Sequence, residues 1–449
     1  MRIGLSAAPT TVETWSHRAD ASARACRRVT AKESTVTNEA AGRPATAASR
    51  GTGARQVETT TVGIVGAGPA GLLLRHLLHR AGIATITIDN RTRQEIAETQ
   101  RAGILEQGSV ELLTETGAIS RIRDNGYEHG GIYLRFDGEN HHIDFTGLVN
   151  ASVWLYPQNE VFVDLAETAD RDGADVRYGV SDTEVDGWRG EHPVIRYTDA
   201  DGVRREIRPD LLVGADGSRS VTRRSIPHEE RSDHFIEYPF AWFGFLVDAP
   251  PSADELIYST SEHGFVLISQ RTETMQRMYF QCDPGENPDE WDDERIWAEM
   301  DRRLEGRDGF TLKKGPIHTK NVLPFRSFVC EPMRHGRLVL AGDAGHTVPP
   351  TGAKGLNLAL NDVRVLAPAI ERWVASGDDA ELDVYSDAAL QRVWRAQRFS
   401  YQMTTMLHTT ADATPFERRR TLAELRDIVD SRHGQAALAE AYTGWPHLA

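Results

Sequence analysis

A glycine-rich turn, Gly66-Ala-Gly-Pro-Ala-Gly71, constrains the fold of this chain more than any other stretch of the sequence. The β-branched run at residues 60–65 predicts a buried parallel strand before the turn, and residues 72–79 predict a helix after it. A second predicted strand, at residues 83–88, leads directly into Asp89. A strand, a G-x-G-x-x-G turn, a helix, a strand and an acid about 20 residues on form the fingerprint of a dinucleotide-binding βαβ unit.

Each part of this fingerprint has a physical role. Gly66 makes the tight turn, Gly68 lets a pyrophosphate approach the backbone, and Gly71 lets helix and strand pack closely. Asp89 is expected to accept hydrogen bonds from a ribose. The motif does not distinguish FAD from NAD. Because it occurs once in 449 residues, the chain either binds FAD and lets a nicotinamide visit a surface groove, or is a plain dehydrogenase.

Two further turns carry carboxylates, Asp216 and Asp343, each at the end of a short apolar strand. The second turn leads to Leu356 and Asn357, which are predicted to open a helix whose free N–H groups can hold a developing anion. Taken alone, residues 341–357 could be an ordinary strand-turn-helix crossover. Together with the fingerprint and the first carboxylate turn, they predict the flavin-ring end of an FAD site.

Composition excludes several functions. The formal charge of −15 argues against binding nucleic acid or docking on an anionic membrane, and no apolar run approaches the roughly 18 residues that span a bilayer. Cys26, Cys282 and Cys330 are widely spaced and form no C-x-x-C pair, so neither a disulfide framework nor a zinc site is indicated. We therefore expect a cytoplasmic protein without a bound metal.

Residues 1–57 differ in amino-acid composition from the rest of the chain. They are rich in Ala, Thr, Ser and Arg, and they lack apolar periodicity, so burial cannot offset the entropy of ordering them. They contain no apolar core of a signal peptide. This segment is predicted to be a disordered tail.

The remainder predicts an α/β fold built from two interleaved parts. Residues 130–148 are expected to form alternating strands, which begin the smaller part. The two parts are a Rossmann-like FAD-binding domain with C-terminal helices, at residues 58–125, 155–233 and 325–449, and an inserted antiparallel-sheet substrate domain, at residues 126–154 and 234–324.

Long strings of sequence at residues 101–108, 214–217, 326–329 and 342–357 add to these motifs. With them, the chain from about residue 60 to residue 445 resembles the single-component (class A) flavoprotein aromatic hydroxylases, and within them those that act on 4-hydroxybenzoate. The resemblance implies bound FAD, NADH or NADPH as co-substrate, and O2, which forms a flavin hydroperoxide. It further implies a small aromatic acid as substrate, 3,4-dihydroxybenzoate as product, and a homodimer.

The resemblance also assigns a substrate site. Ser269, Arg271 and Tyr279 match the family's carboxylate clamp, in which a guanidinium grips a benzoate and two hydroxyls satisfy the remaining lone pairs. Tyr258 and Tyr442 match the pair that touches the substrate phenol, and His129 matches the solvent-side end of that proton relay. The residues expected to form apolar walls, with a Pro350 carbonyl over the ring, are Trp242, Leu256, Leu267, Ile104 and Pro350.

For the cofactors, the resemblance implies two sets of residues. Lys354 is expected near the flavin, where its charge would favour an anionic ring. The implied FAD-binding residues are Gly66, Gly68, Gly71, Asp89, Arg101, Gln158, Asp216, Asp343, Lys354, Leu356 and Asn357.

At the nicotinamide site the chain departs from the family's pattern. Glu95 and Thr99 stand where the best-known NADPH-specific members carry Tyr and Arg, which disfavours a 2′-phosphate and favours NADH. Arg219 replaces a histidine that helps to bind the nicotinamide cofactor, and Arg326 is kept.

Three alternatives stay open at this point. The same class of hydroxylase could act on another hydroxy- or aminobenzoate. An NAD-dependent dehydrogenase needs only one G-x-G-x-x-G motif. A non-catalytic, flavin-binding regulator would share the cofactor residues.

Overall fold

Two large sheets organise the part of the chain that the computed structural model describes, which is residues 56–99, 103–410 and 412–446. Most of the predicted tail lies outside these residues. Its last two positions, 56 and 57, are not disordered, because they begin the first strand, Gln56–Val65, and pair with Arg205 and Glu206.

The strands in chain order are β1 (Gln56–Val65), β2 (Thr85–Asp89), β3 (Ile104–Glu106), β4 (Tyr127–His129), β5 (Gly131–Phe136), β6 (Glu139–Asp144), β7 (Val153–Leu155), β8 (Val176–Tyr178), β9 (Ser181–Asp186), β10 (Val194–Thr198), β11 (Arg204–Gly214), β12 (Ser232–Asp248), β13 (Ile257–Ser261), β14 (Gly264–Thr272), β15 (Met275–Cys282), β16 (Ile317–Glu331), β17 (Arg334–His335), β18 (Leu338–Leu340) and β19 (His346–Thr347).

The α-helices are α1 (Pro69–Arg80), α2 (Arg93–Glu98), α3 (Gln107–Glu115), α4 (Ile122–Asn125), α5 (Phe145–Val149), α6 (Gln158–Arg171), α7 (Val221–Arg224), α8 (Asp293–Leu304), α9 (Gly355–Ser376), α10 (Ala380–Leu407), α11 (Pro415–Val429) and α12 (Arg432–Thr443).

The first sheet has the order β17-β18-β11-β1-β2-β8, and the pairs from β18 to β8 are parallel. Its central strands are apolar on both faces. On one face Val62, Ile64 and Val213 pack in a cluster with helices α1, α6 and α9, and on the other Ile88 and Leu212 are buried in a separate cluster. The predicted Rossmann-like α/β architecture is confirmed.

The second sheet has the order β19-β16-β12-β15-β14-β13-β5-β6. Its pairs are antiparallel except β13 with β5, which run parallel. The predicted boundary between residues 324 and 325 falls inside β16, where the ladder with β12 continues past it. The assignment of residues to two domains stays a prediction.

One predicted element is wrong. The strands expected to reach residue 148 end at Asp144, and Phe145–Val149 is the helix α5. The Asp144 carboxylate accepts a hydrogen bond from Gly147 N at 2.8 Å and caps the helix, which ends at Asn150 with φ of 53°. Apolar residues spaced for a short strand fit this single helical turn equally well.

Helices α9 to α12 form the helical C-terminal part. Among the helices that the structure describes, none is both long and apolar enough to cross a membrane.

The glycine turn has the geometry that the fingerprint requires. Gly66 has φ of +113°, and a Cβ there would lie 2.2 Å from Ala215 O. A Cβ on Gly71 would lie 1.9 Å from Gly66 O, whereas a Cβ on Gly68 would meet nothing within 4 Å. The first and third glycines are therefore required by packing, and the second faces open space.

We expect Gly71→Ala and Gly68→Ala to differ. Gly71→Ala should lower the free energy of unfolding by about 1–3 kcal/mol, because the new Cβ overlaps backbone. Gly68→Ala should lower it by less than about 1 kcal/mol, the effect of a poorer N-cap, yet weaken FAD retention. Urea unfolding measures the free energy of unfolding, and the flavin-to-protein absorbance ratio measures FAD retention. Wild-type stability in Gly71→Ala, or undiminished flavin retention in Gly68→Ala, would contradict this assignment.

Candidate active site

A single cavity brings together the residues predicted to form the substrate pocket. Alternate residues of a strand share one face, so Leu267 and Ser269 of β14 point the same way. Arg271 lies where the register with β15 shifts, and it lines the same cavity. Strands β12 and β15 contribute Trp242 and Tyr279 to the same cavity. The cavity is lined by Gly103, Ile104, Leu155, Tyr156, Pro157, Trp242, Leu256, Tyr258, Leu267, Ser269, Gln270, Arg271, Arg277, Tyr279, Pro350 and Ala353.

One end of this cavity is cationic. Burial, together with the charge of Arg277, lowers the pKa of Arg271 to about 10, so the guanidinium stays charged at neutral pH. The Arg277 guanidinium carbon lies 5.0 Å from the centroid of the Tyr279 ring. Ser269 Oγ donates to Arg277 O at 3.0 Å. Two arginines and two hydroxyl-bearing side chains thus converge on one small space.

The other end carries paired hydroxyls. Tyr258 Oη and Tyr442 Oη lie 2.7 Å apart in a hydrogen bond, and both side chains are buried. Burial raises the pKa of both phenols, so both are neutral at pH 7. Tyr258 lies opposite Leu267 in the strand ladder. Arg271 follows Leu267 by four residues, so it enters the cavity from a position further along β14 than the level of Tyr258.

His129 is less closely connected than expected. It was predicted at the solvent-side end of the proton relay, but its side chain is buried in β4 opposite Val153. Neither ring nitrogen has a hydrogen-bond partner among the described residues. Burial lowers the pKa of His129 to about 4, so the ring is neutral at physiological pH. The structure places His129 in the interior without joining it to the two tyrosines.

The Leu356–Asn357 end of the predicted cofactor site is built on α9, whose first turn leaves backbone N–H groups unpaired within the helix. The Asn357 side chain fixes this turn: Oδ1 accepts from Glu106 N, and Nδ2 donates to Ile104 O and Ala353 O, each at 2.9 Å. The helix N-terminus is therefore held against β3.

The two carboxylates near the glycine turn are engaged with protein groups. Asp89 Oδ2 accepts from Ala67 N at 2.8 Å, which braces the turn, and the carboxylate also pairs with Arg91. Asp216 accepts bonds from Ser220 Oγ, from Val221 N, and from the N and Oγ1 of Thr222. Asp216 thus fixes the start of α7 with its whole carboxylate.

Lys354 lies in a buried ion pair. Its ammonium donates to Glu106 Oε1 at 2.6 Å and to Tyr442 O at 2.9 Å, and burial lowers its pKa. Its charge is balanced by Glu106, and its predicted influence on the flavin stays a prediction.

The remaining predicted cofactor residues lie as follows. Arg101 is outside the described residues. Gln158 opens α6, and Asp343 is half-buried in the turn Gly342–Ala344.

The residues predicted to meet a nicotinamide cofactor are all on the surface. Arg219, Arg326 and Thr99 are exposed. Glu95 is exposed too, and its carboxylate accepts from Thr92 N at 2.7 Å, so it caps α2.

His408 is a site-forming residue that the sequence analysis missed. Trp242 Nε1 donates to His408 Nε2 at 2.7 Å, and His408 Nδ1 donates to Thr404 O at 2.8 Å. Thr404 Oγ1 donates to Thr351 Oγ1 at 3.0 Å, next to Pro350. His408 therefore positions a wall of the cavity from helix α10. A histidine at a helix end carries no sequence signal for such a role.

The described residues fit FAD. The backbone is open in front of Gly68, an acid braces the turn, and the unpaired N–H groups of α9 point out of its first turn. An adenine dinucleotide needs this cradle, and an anionic flavin suits a helix N-terminus.

Comparisons with known proteins agree with this geometry. The sequence matches the FAD binding domain family over residues 59–400. It is 40% identical over 393 residues to the p-hydroxybenzoate hydroxylase of Acinetobacter baylyi (strain ATCC 33305 / BD413 / ADP1), covering 87% of this chain and 97% of that protein.

Solved structures share the fold. The p-nitrophenol 4-monooxygenase of Pseudomonas putida DLL-E4 superposes with a TM-score of 0.74 at 20% identity, covering 87% of this chain and 100% of that one. Aklavinone-11 hydroxylase, solved with FAD and aklavinone, superposes with a TM-score of 0.63 at 21% identity, covering 78% of this chain and 69% of that one.

Since the match spans the glycine cradle, both sheets and the buried cavity, this protein is an FAD-dependent aromatic hydroxylase. The chain belongs to the class A flavoprotein aromatic hydroxylases. Membership removes the NAD-dependent dehydrogenase and the non-catalytic regulator from the alternatives.

We expect His408 to make stability depend on pH. Burial lowers the pKa of His408 to about 3, whereas an unfolded histidine titrates near 6.5. Between these values the unfolded state binds a proton that the folded state does not, so stability is lost as pH falls below about 6.5. At pH 5 this loss should be about 2 kcal/mol, and His408→Gln should abolish it.

The measurement is the urea unfolding free energy of both proteins at pH 7 and pH 5. Buried His129 is present in both and cancels in the comparison. An equal loss in wild type and variant would show that His408 is not held neutral.

Proposed function

We propose that this hydroxylase converts 4-hydroxybenzoate to 3,4-dihydroxybenzoate, using FAD, O2 and NADH or NADPH. The observation that carries the proposal is the cavity lined by the Arg271 guanidinium and by the hydroxyl of Tyr258, which is in turn hydrogen-bonded to Tyr442. A cavity lined by a guanidinium and by a phenol hydroxyl suits a benzene ring that carries a carboxylate and a hydroxyl in para positions, with a hydrogen bond to each. The likeness to a p-hydroxybenzoate hydroxylase supports the same substrate.

At the cationic end, Arg271 binds the substrate carboxylate, and the hydroxyls of Ser269 and Tyr279 complete its hydrogen bonds. Arg277 adds a second positive charge to the same end. A dry wall of Trp242 and Leu267 strengthens these interactions, because charge attraction grows as water is excluded. This end determines which way round the substrate binds.

At the hydroxyl end, the substrate phenol meets Tyr258. A phenol has a pKa near 10, so it must lose its proton to become an electron-rich ring at pH 7. Tyr258 can accept that proton as it gives its own to Tyr442 across the 2.7 Å hydrogen bond. His129, neutral at this pH, is our proposed acceptor beyond Tyr442.

FAD supplies the redox and oxygen chemistry when it is bound. The groups that would hold it are the backbone of Gly66–Gly71, Asp89, Asp343 and the N-terminal turn of α9, with Gln158 and Asp216 in supporting positions. Arg101, which lies outside the described residues, is assigned to FAD by the resemblance alone. Pro350, in the turn Pro350–Gly352, borders the substrate cavity and shields its ring from water.

We propose NADH as the preferred reductant. The exposed Arg219 and Arg326 suit a pyrophosphate, while the exposed carboxylate of Glu95 and the neutral Thr99 offer nothing to a 2′-phosphate.

We also propose a cytoplasmic homodimer formed through the C-terminal helices. Trp394 and Tyr401, two turns apart on α10, are 44% and 50% exposed, which is unusual for large aromatic side chains. The unpaired Cys282 and Cys330 suit a reducing compartment.

The proposed reaction is tested by product analysis. With FAD-loaded enzyme, 4-hydroxybenzoate and NADH, chromatography should show one 3,4-dihydroxybenzoate per NADH oxidised, and NADPH should be used more slowly. Oxidation of NADH with hydrogen peroxide as the sole product would show that another hydroxy- or aminobenzoate is the substrate. Faster use of NADPH would overturn the assignment of Glu95 and Thr99.

We expect Tyr442→Phe to slow hydroxylation more than it weakens substrate binding. The variant keeps the ring and its packing but removes the hydroxyl that receives the proton, a role worth roughly 100-fold or more in rate. Substrate titration of the flavin spectrum gives binding, and single-turnover product formation gives the rate. An equal loss in both would assign Tyr442 to packing alone.

A further inference from the structure

A second cavity, of about 230 Å³, lies beside the N-terminal turn of α9 and has no part in the mechanism above. It is bounded by the first turns of α3 and α9 and by the residues after α12. Its lining includes Ser109, Glu111, Asn361, Arg364, Arg392 and Trp445. This volume is below the roughly 300 Å³ of drug-sized pockets, so it suits a small molecule.

Two guanidinium groups meet at this cavity. Arg392 donates to Trp445 O at 3.1 Å and to Glu106 Oε2 at 3.4 Å. Arg364 donates from Nη2 to Gly108 O. The Nε and Nη1 groups of Arg364 make no hydrogen bond within the described ranges, and burial followed by the charge of Arg392 lowers its pKa. The Nε and Nη1 groups of Arg364 are therefore available to bind an anion.

The carboxylates at the cavity are hydrogen-bonded to groups other than Arg364. Glu106 pairs with Lys354 at 2.6 Å and with Arg392. Glu111 accepts from Gln107 Nε2 at 2.9 Å. The remaining donors of Arg364 therefore have no hydrogen-bonded carboxylate among the described residues, and such donors suit the carboxylate of a ligand.

An unsatisfied amide adds a second requirement. Asn361 is 7% exposed, and its Oδ1 is buried without a partner in the described part of the chain. Asn357, Asn361 and Arg364 recur at helical spacing and so share one face of α9. The ring of Trp445 and the side chain of Leu112 supply an apolar surface on the lining. A matching ligand has a carboxylate, a hydrogen-bond donor and a small apolar body.

We propose that this cavity binds a small hydroxylated carboxylic acid, separately from the substrate cavity. Glu106 and Thr443 line this cavity. Lys354 bonds both to Glu106 and to the carbonyl of Tyr442, and Thr443 follows Tyr442 in the chain. The second site therefore borders the elements that position the hydroxyl end of the substrate cavity.

The test uses 4-hydroxybenzoate as probe, a choice that rests on the proposed function. In FAD-loaded Arg271→Ala, where the substrate clamp is removed, isothermal titration calorimetry should show one remaining site with a dissociation constant of about 1 mM or below. Adding Arg364→Gln should weaken this site by about tenfold or more, the effect of losing a charge-assisted hydrogen-bond pair.

The matched control is Arg372→Gln in the same Arg271→Ala background. Arg372 lies on the same helix, is exposed, and pairs with Glu381 away from the cavity. It should leave the remaining site unchanged.

The outcomes separate this proposal from the function itself. No residual binding in Arg271→Ala, or equal affinity with and without Arg364→Gln, overturns the second site. If Arg364→Gln and Arg372→Gln both weaken the residual binding, that binding reflects general surface charge, and the proposed second site is overturned. Two sites remaining in Arg271→Ala would refute the clamp, while loss of one of them in Arg364→Gln would still support the cavity.

Discussion

The buried ion pair between Lys354 and Glu106 holds together the parts from which the active site is made. Lys354 directly precedes α9, Glu106 ends β3, and the same ammonium donates to the carbonyl of Tyr442 in α12. Removing one partner of such a pair leaves an uncompensated buried charge, which costs about 3–5 kcal/mol. The N-terminal turn of α9, the three-stranded sheet β3-β7-β4 and the segment of α12 that carries Tyr442 are therefore fixed relative to each other by one cation.

The substrate cavity follows from the period of the second sheet. Leu267 and Ser269 alternate along β14, so this strand supplies an apolar wall and a hydroxyl on one face, and Arg271 adds a guanidinium at the register shift that follows. Cross-strand pairing of Leu267 with both Tyr258 and Tyr279 then places the two tyrosines beside it. A strand-built site of this kind is rigid, because neighbouring strands hold each backbone position.

Much of this arrangement could be predicted, because motifs and periodicity act locally. The glycine fingerprint predicted β1, α1 and β2, and the family resemblance named the residues that meet in the cavity. Arg277 was missed although its strand register opposite Ser269 carries it to the same site, since cross-strand register is not visible without the turn geometry. His408 could not be found, because its contact with Trp242 joins residues 166 positions apart.

The neutral state of Tyr258 and Tyr442 determines which proton movement between them is possible. Tyr258 and Tyr442 have raised pKa values, so neither is a stable anion at neutral pH, and each must give up one proton as it gains another. In the function proposed above, the hydrogen bonds would run from a bound phenol to Tyr258 to Tyr442, and with a phenolate bound they would run in the opposite direction. Reversing the chain would carry one proton from the substrate to the far side of Tyr442. An aromatic amine has no such acidic proton, so the proposed relay would favour a hydroxylated substrate over an aminated one.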